Sequence, residues 1–200
     1  GDREGNAGTG PALRVLIAGD SAAAGVGTAH QDEALLGRLV AELRTDHSIS
    51  WALHATSGHT TANTLQRLQR LPRQEFDVAV TSLGVNDAIA MVGVRRWRRR
   101  QARLRQLLRD KFGVASLVIS GLPPVHRFPA LPQPLRWHIG LRATQLNRAL
   151  ERDVAAESDS HFIDLRFSGD MTMMSSAGVH PGAELYAEWA RRVAKAIRAH

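Results

Sequence analysis

The chain of 200 residues contains no cysteine. Disulfides, thiolate metal sites and a cysteine nucleophile are therefore excluded. It has no apolar run near the roughly 18 residues that span a bilayer, and no signal peptide pattern is visible. Nor does it have a Gly-x-Gly-x-x-Gly fingerprint or a Gly-Lys-Ser/Thr step after a strand, which argues against nucleotide binding. Its nine histidines show no paired His-x-x-x-His spacing of the kind that binds zinc, so no metal site is expected. Lysine is nearly absent: Lys111 and Lys195 are the only two. The opening at Gly1 and the polar, Gly-rich residues 1–11 suggest a flexible tail on a truncated or processed chain. An exported location is favoured over the cytoplasm.

What is present suits one globular domain, expected over 12–200. Hydrophobic residues make up 44% and charged residues 22%, with a net charge of +7. That charge is concentrated in residues 95–111, which carry nine basic residues and one acid. The rest of the chain is close to neutral. Trp97, Leu104, Leu107 and Leu108 give this segment an apolar side, so its default reading is an amphipathic helix with a solvated arginine face. The reading of a different class is a non-catalytic module that holds nucleic acid or an anionic membrane surface through this helix. No nucleic-acid partner is expected, and a weak contact with an anionic surface is left open.

Short apolar runs alternate with helical patterns. Strands are expected at Leu13–Ala18, Trp51–Ala55, Phe76–Ser82, Val114–Ser120 and Phe162–Leu165. Helices are expected at Ala34–Leu43, Thr61–Leu71, the basic segment, Leu135–Glu157, and from Pro181 to about Ala199. Gly84, Asn86 and Asp87 read as turn residues, and the Pro-rich residues 122–134 as an extended loop. Apolar strands alternating with helices predict a three-layer α/β/α sandwich around a five-stranded, mostly parallel, flavodoxin-like sheet. Ligands of such sheets bind beyond the carboxyl ends of the strands.

Several chemistry-bearing residues fall at those ends. The first strand runs into Gly19-Asp20-Ser21, a tripeptide expected by chance in roughly one chain in twenty of this length. Its position gives it weight, and the small residues Ala22, Ala23, Ala24 and Gly25 leave room for a substrate. The second strand leads to Gly58, a turn glycine or a backbone donor. The third leads to Asn86, an Asx-turn residue or an oxyanion donor. His180, followed by Pro181, precedes the last helix.

These blocks resemble the SGNH hydrolases, or GDSL esterase/lipase family, from about Leu13 to the C-terminus. The match consists of Gly19-Asp20-Ser21, with Ala22 in place of the leucine of the family name, then Gly58, Gly84-Val85-Asn86-Asp87 and Gly178-Val179-His180-Pro181. The resemblance implies a serine esterase on small acyl esters that needs no cofactor. Ser21 is then the nucleophile and His180 the general base, with an oxyanion hole from the Ser21 and Gly58 N–H groups and the Asn86 amide. Short-chain acyl esters are the expected substrates, with carbohydrate O-deacetylation or thioester hydrolysis as the alternative. Val26, Phe128 and Trp137 are candidates for the substrate pocket.

One position departs from the family. The aspartate expected three residues before the histidine is Ala177. An engineered substitution that slows turnover is the preferred explanation. A natural Ser–His dyad, or replacement of the acid by Asp164 or Asp170, are the others.

Overall fold

The computed structural model describes residues 3–169 and 182–200. Among them, six strands form one sheet: β1 (Glu4–Ala7), β2 (Ala12–Gly19), β3 (Ser48–Ala55), β4 (Val78–Ser82), β5 (Ser116–Ser120) and β6 (Ser160–Ile163), in the order β1-β3-β2-β4-β5-β6. The strands β2 to β6 are the five predicted ones and are all parallel. Connections leave β2 in opposite directions, to β3 on one side and eventually β4 on the other. The ends of β2 and β4 therefore flank the topological switch point, where an open α/β sheet leaves a crevice.

The sixth strand corrects the expectation of a flexible tail. Residues 4–7 pair antiparallel with β3, with Gly5 opposite Trp51. Glu-Gly-Asn-Ala has little strand propensity of its own. Its pairing is imposed by the open edge of β3 and secured by the Arg3 guanidinium, which donates to the Ala55 carbonyl at 3.2 Å.

Helices cover both faces. On one side α1 (Leu35–Leu43) packs with α6 (Ala183–Arg198); on the other lie α2 (Thr61–Arg70), α4 (Val94–Phe112) and α5 (Leu135–Ala155). The period-two alternation of β2 divides its side chains between the layers. Leu16 and Ala18 join the core under α2, α4 and α5, whereas Val15 and Ile17 join the core under α1 and α6. The segment Val85–Ile89, expected as a turn, is a short helix, α3. Gly84 precedes it at φ 135°, with the Leu122 side chain where a Cβ would stand, so both conformation and space demand glycine. The last helix begins at Ala183 with Gly182 as its N-cap; Pro181, expected in its first turn, lies outside the described residues.

The basic helix forms as predicted and buries Trp97, Leu104 and Leu108. It also buries Arg105, whose guanidinium pairs with Glu157 at 3.0 Å. The Trp97 indole N–H donates to the Leu146 carbonyl at 3.0 Å, which fixes α4 against α5. No helix of the described residues is long and apolar enough to cross a membrane.

Candidate active site

Backbone bonds stitch the ends of three neighbouring strands together. The Asp20 N–H donates to the Ser82 carbonyl at 3.1 Å, and the Thr56 N–H donates to the Gly19 carbonyl at 3.1 Å. Ser21 follows as the first residue of a tight turn. The Asp20 carboxylate closes that turn by accepting from the Ala22 N–H at 3.1 Å. From the far side, the Tyr186 hydroxyl on α6 reaches the carbonyls of Ala22 and Val26 at 3.0 and 2.9 Å.

Ser21 opens into a cavity of about 220 Å³. Its polar lining comes from Asp20, Ser21, Ser82 and Asn86. Its apolar wall includes Val85, Ile89, Phe128, Leu131, Leu185 and Trp189. Two pairs in that wall, Val85/Ile89 and Leu185/Trp189, stand four residues apart on helices that begin beside the strand ends. That spacing puts both members of a pair on one helix face, and it was the sequence signal that could have identified them.

Of the expected pocket residues, only Phe128 lines the cavity. Val26 is 36% exposed and contributes its carbonyl to Tyr186 instead. Trp137 is 57% exposed, with its ring edge-on to His138; the helical register of α5 turns it away from the buried Ile139 and Ala143. The small residues after Ser21 also act differently from expectation. Ala22 lines the cavity, but Ala23 is buried in the core and occupies the space beside Gly19. Their size serves close packing of the turn.

Asn86, also at the cavity, donates from its side-chain amide to the His59 carbonyl at 3.1 Å. An amide nitrogen carries two hydrogens, so this bond orients the group and leaves one N–H without a partner among the described residues. Gly58 does not line the cavity. It lies one residue before this anchor, at φ 81°, with open space within 4 Å of where a Cβ would stand, so conformation alone calls for glycine. Among the described residues, neither the Ser21 nor the Gly58 N–H has a backbone or side-chain acceptor.

Below Asn86, Asp87 is fully buried and accepts from the Thr61 N–H at 3.0 Å and hydroxyl at 3.1 Å. Gln101 donates to the same hydroxyl at 2.9 Å. This chain ties α4, the start of α2 and α3 together beneath the site, a role the sequence reading missed. Burial raises the Asp87 pKa against these hydrogen bonds. Burial also pushes the Asp20 carboxyl up to about 7; the Ala22 N–H opposes the rise and the neighbouring Asp87 charge adds to it.

His180, Ala177 and Asp170 lie outside the described residues. Asp164 does not line the cavity. Its carboxylate accepts from the Arg166 N–H and guanidinium, both at 2.8 Å, which is a strand-end cap. Among the described residues, no group of three or more His, Asp or Glu side chains converges to hold a metal.

This architecture is shared with known proteins. The chain is 30% identical over 186 residues to the GDSL-like esterase Rv1075c of Mycobacterium tuberculosis, covering 88% of this chain and 58% of that protein. The chain thus spans little more than half the length of that relative. Its fold is similar to a Corynascus thermopiles carbohydrate esterase family 2 enzyme with a carbohydrate binding domain (TM-score 0.75, 18% identity, 96% of this chain and 67% of that one). It is also similar to a carbohydrate acetylesterase family member from Sinorhizobium meliloti (0.68, 23%, 94% and 98%) and a lipase/acylhydrolase from Enterococcus faecalis (0.68, 20%, 94% and 96%). The model of the GDSL-like Lipase/Acylhydrolase family matches residues 17–196. The strand-end serine, the Asn86 anchor and this match over most of the sequence have one conclusion: the chain belongs to the GDSL-like lipase/acylhydrolase family.

Proposed function

We propose that the protein is a serine esterase that hydrolyses short-chain acyl esters, with Ser21 as nucleophile and His180 as general base. The observation that carries this reading is the placement of Ser21 and the anchored Asn86 amide on one apolar cavity. In the proposed reaction the Ser21 hydroxyl oxygen attacks the ester carbonyl carbon while His180 takes its proton. The Ser21 and Gly58 N–H groups and the second Asn86 N–H hold the resulting oxyanion. Collapse of the tetrahedral intermediate expels the alcohol, which His180 protonates, and water then releases the acid from the acyl-enzyme. Leu185, five residues after His180 in the sequence, lines the cavity.

The apolar wall favours an acyl chain over a polar group in the cavity. At about 220 Å³ the cavity lies below the roughly 300–1,000 Å³ of drug-sized pockets, which favours a short chain. Ala177 cannot orient His180 or balance its charge, so the protein as it stands is a slowed esterase. Asp164, engaged with Arg166, is a poor replacement for the acid.

A chain-length series of p-nitrophenyl esters tests the reading, with Ser21→Ala alongside. Turnover that peaks at short acyl chains and disappears in the variant supports it. Turnover that persists in Ser21→Ala overturns it.

A further inference from the structure

Residues 88–150 hold 13 of the 26 basic residues but one of the 19 acidic ones, Asp110. Part of this surplus is spent on the fold. Arg98 pairs with Asp153, Arg105 with Glu157, and Arg109 with Glu157 and Asp159. Arg95, Arg96, Arg99, Arg100 and Arg103 have no carboxylate partner among the described residues. At 3.6 residues per turn Arg95 and Arg99 lie opposite Trp97, Leu104 and Leu108, Arg96 and Arg103 on the adjoining flank, and the half-buried Arg100 nearer the core. They occupy its first half. Because α4 returns to the start of the next parallel strand, that half lies at the end of the sheet where Ser21 stands.

Exposed apolar side chains gather in the same stretch. Ile89 is 52% exposed, Met91 56%, Leu135 49%, Trp137 57% and Leu141 47%; Val26 is the other large apolar residue so exposed among the described residues. Ile89 is at the same time part of the cavity wall, and Met91 lies between it and Arg95 in the sequence. Trp137 and Leu141 stand one turn apart on the first half of α5, which runs alongside α4. A solvated arginine face explains the charge but not this collar. A nucleic acid would use the arginines and leave the aliphatic groups in water. A lipid surface uses both: anionic headgroups attract the guanidinium groups, and the outermost acyl region receives exposed apolar and indole side chains.

We propose that the site end of the α4–α5 layer docks on an anionic phospholipid surface. Arg95, Arg96 and Arg99 meet the headgroups, Met91, Trp137 and Leu141 enter the interface, and Ile89 places the mouth of the cavity beside it. The inference does not depend on which ester is cleaved.

Co-sedimentation of the full chain with vesicles tests it. Binding is expected to equimolar phosphatidylglycerol and phosphatidylcholine, to be much weaker to phosphatidylcholine alone, and to fall as salt screens the surface. Arg95→Gln/Arg96→Gln/Arg99→Gln should lower the partition coefficient about a hundredfold. Met91→Asn/Leu141→Gln should lower it about tenfold; asparagine suits the φ of 57° at Met91. Both variants should keep the melting temperature of the parent, which separates lost docking from lost folding. Equal binding to the two vesicle types overturns the proposal, as does an unchanged partition in the arginine variant. Tighter binding to single-stranded RNA, with the apolar variant unaffected on vesicles, assigns the patch to nucleic acid instead.

Discussion

The Tyr186 hydroxyl stands 2.9 Å from the carbonyl oxygen of Val26 and 3.0 Å from that of Ala22. One buried phenol on α6 thus clamps the turn that carries Ser21, and the ring stacks on Trp189, which lines the cavity. The contact couples the position of α6 to the turn that carries Ser21.

Tyr186→Phe should therefore cost about 1 kcal/mol of stability and lower kcat more than it raises KM. The clamp positions Ser21 and does not touch the acyl chain. Urea unfolding and steady-state kinetics on a soluble ester provide the check; a pure KM effect would contradict a positioning role.

Ala177→Asp should raise ester turnover at least tenfold, within the roughly 10⁴-fold that the acid of a serine triad contributes. A folded variant with no gain would point to a Ser–His dyad or to another acid.

Asn86→Ala should lower kcat about 10²–10³-fold with little change in KM, because the proposed reaction assigns the second amide hydrogen to the oxyanion. Equal losses in the binding of a ground-state product analogue would argue for a structural role only.

Asp20 links stability to pH. Its pKa is about 7 in the folded protein, against about 3.9 in an unfolded chain. The folded state binds the extra proton between these values. This contribution to stability is therefore full below about pH 4 and lost as the pH rises towards about 7. Asp20→Asn mimics the protonated group and should raise the melting temperature at about pH 8 but not at acid pH. A variant less stable at both would show that the charged carboxylate holds the turn.

Glu157 neutralises Arg105, whose side chain is only 2% exposed. Glu157→Ala should cost about 3 kcal/mol, since it strands a buried cation. Replacing Arg105 itself by methionine should cost less. Denaturant midpoints of the two variants decide between them.

The central strands were legible because β2, β4 and β5 are mostly apolar and end near glycine or serine; Val78–Ser82 is buried at every position, whereas β3 and β6, which carry Ser48, Ser50, His54, Ser160 and His161, gave a weaker signal. The register of α4 was readable from Trp97, Leu104 and Leu108. Its buried Arg105 was not, since the partner Glu157 is 52 residues away. The same distinction divides the site. Ser21 and Asn86 were visible from their places after strands. The Asn86–His59 bond, the Tyr186 clamp and the Asp87–Thr61 tie depend on approaches between distant segments. Val26 and Trp137 failed as pocket residues because their side-chain directions follow from the turn and the register of α5, which residue type alone does not convey.

The four residues of β1 occupy the open side of β3, with the Trp51 ring lying where a side chain at Gly5 would have to go. Without them, Ser48–Ala55 would present a bare row of peptide groups next to an uncovered tryptophan, a template for pairing with another copy. Trimming the chain to Pro11 would leave the lining of the Ser21 cavity untouched and yet invite self-association. The N-terminal segment thus acts as a guard for solubility, at the sheet edge nearest Gly58.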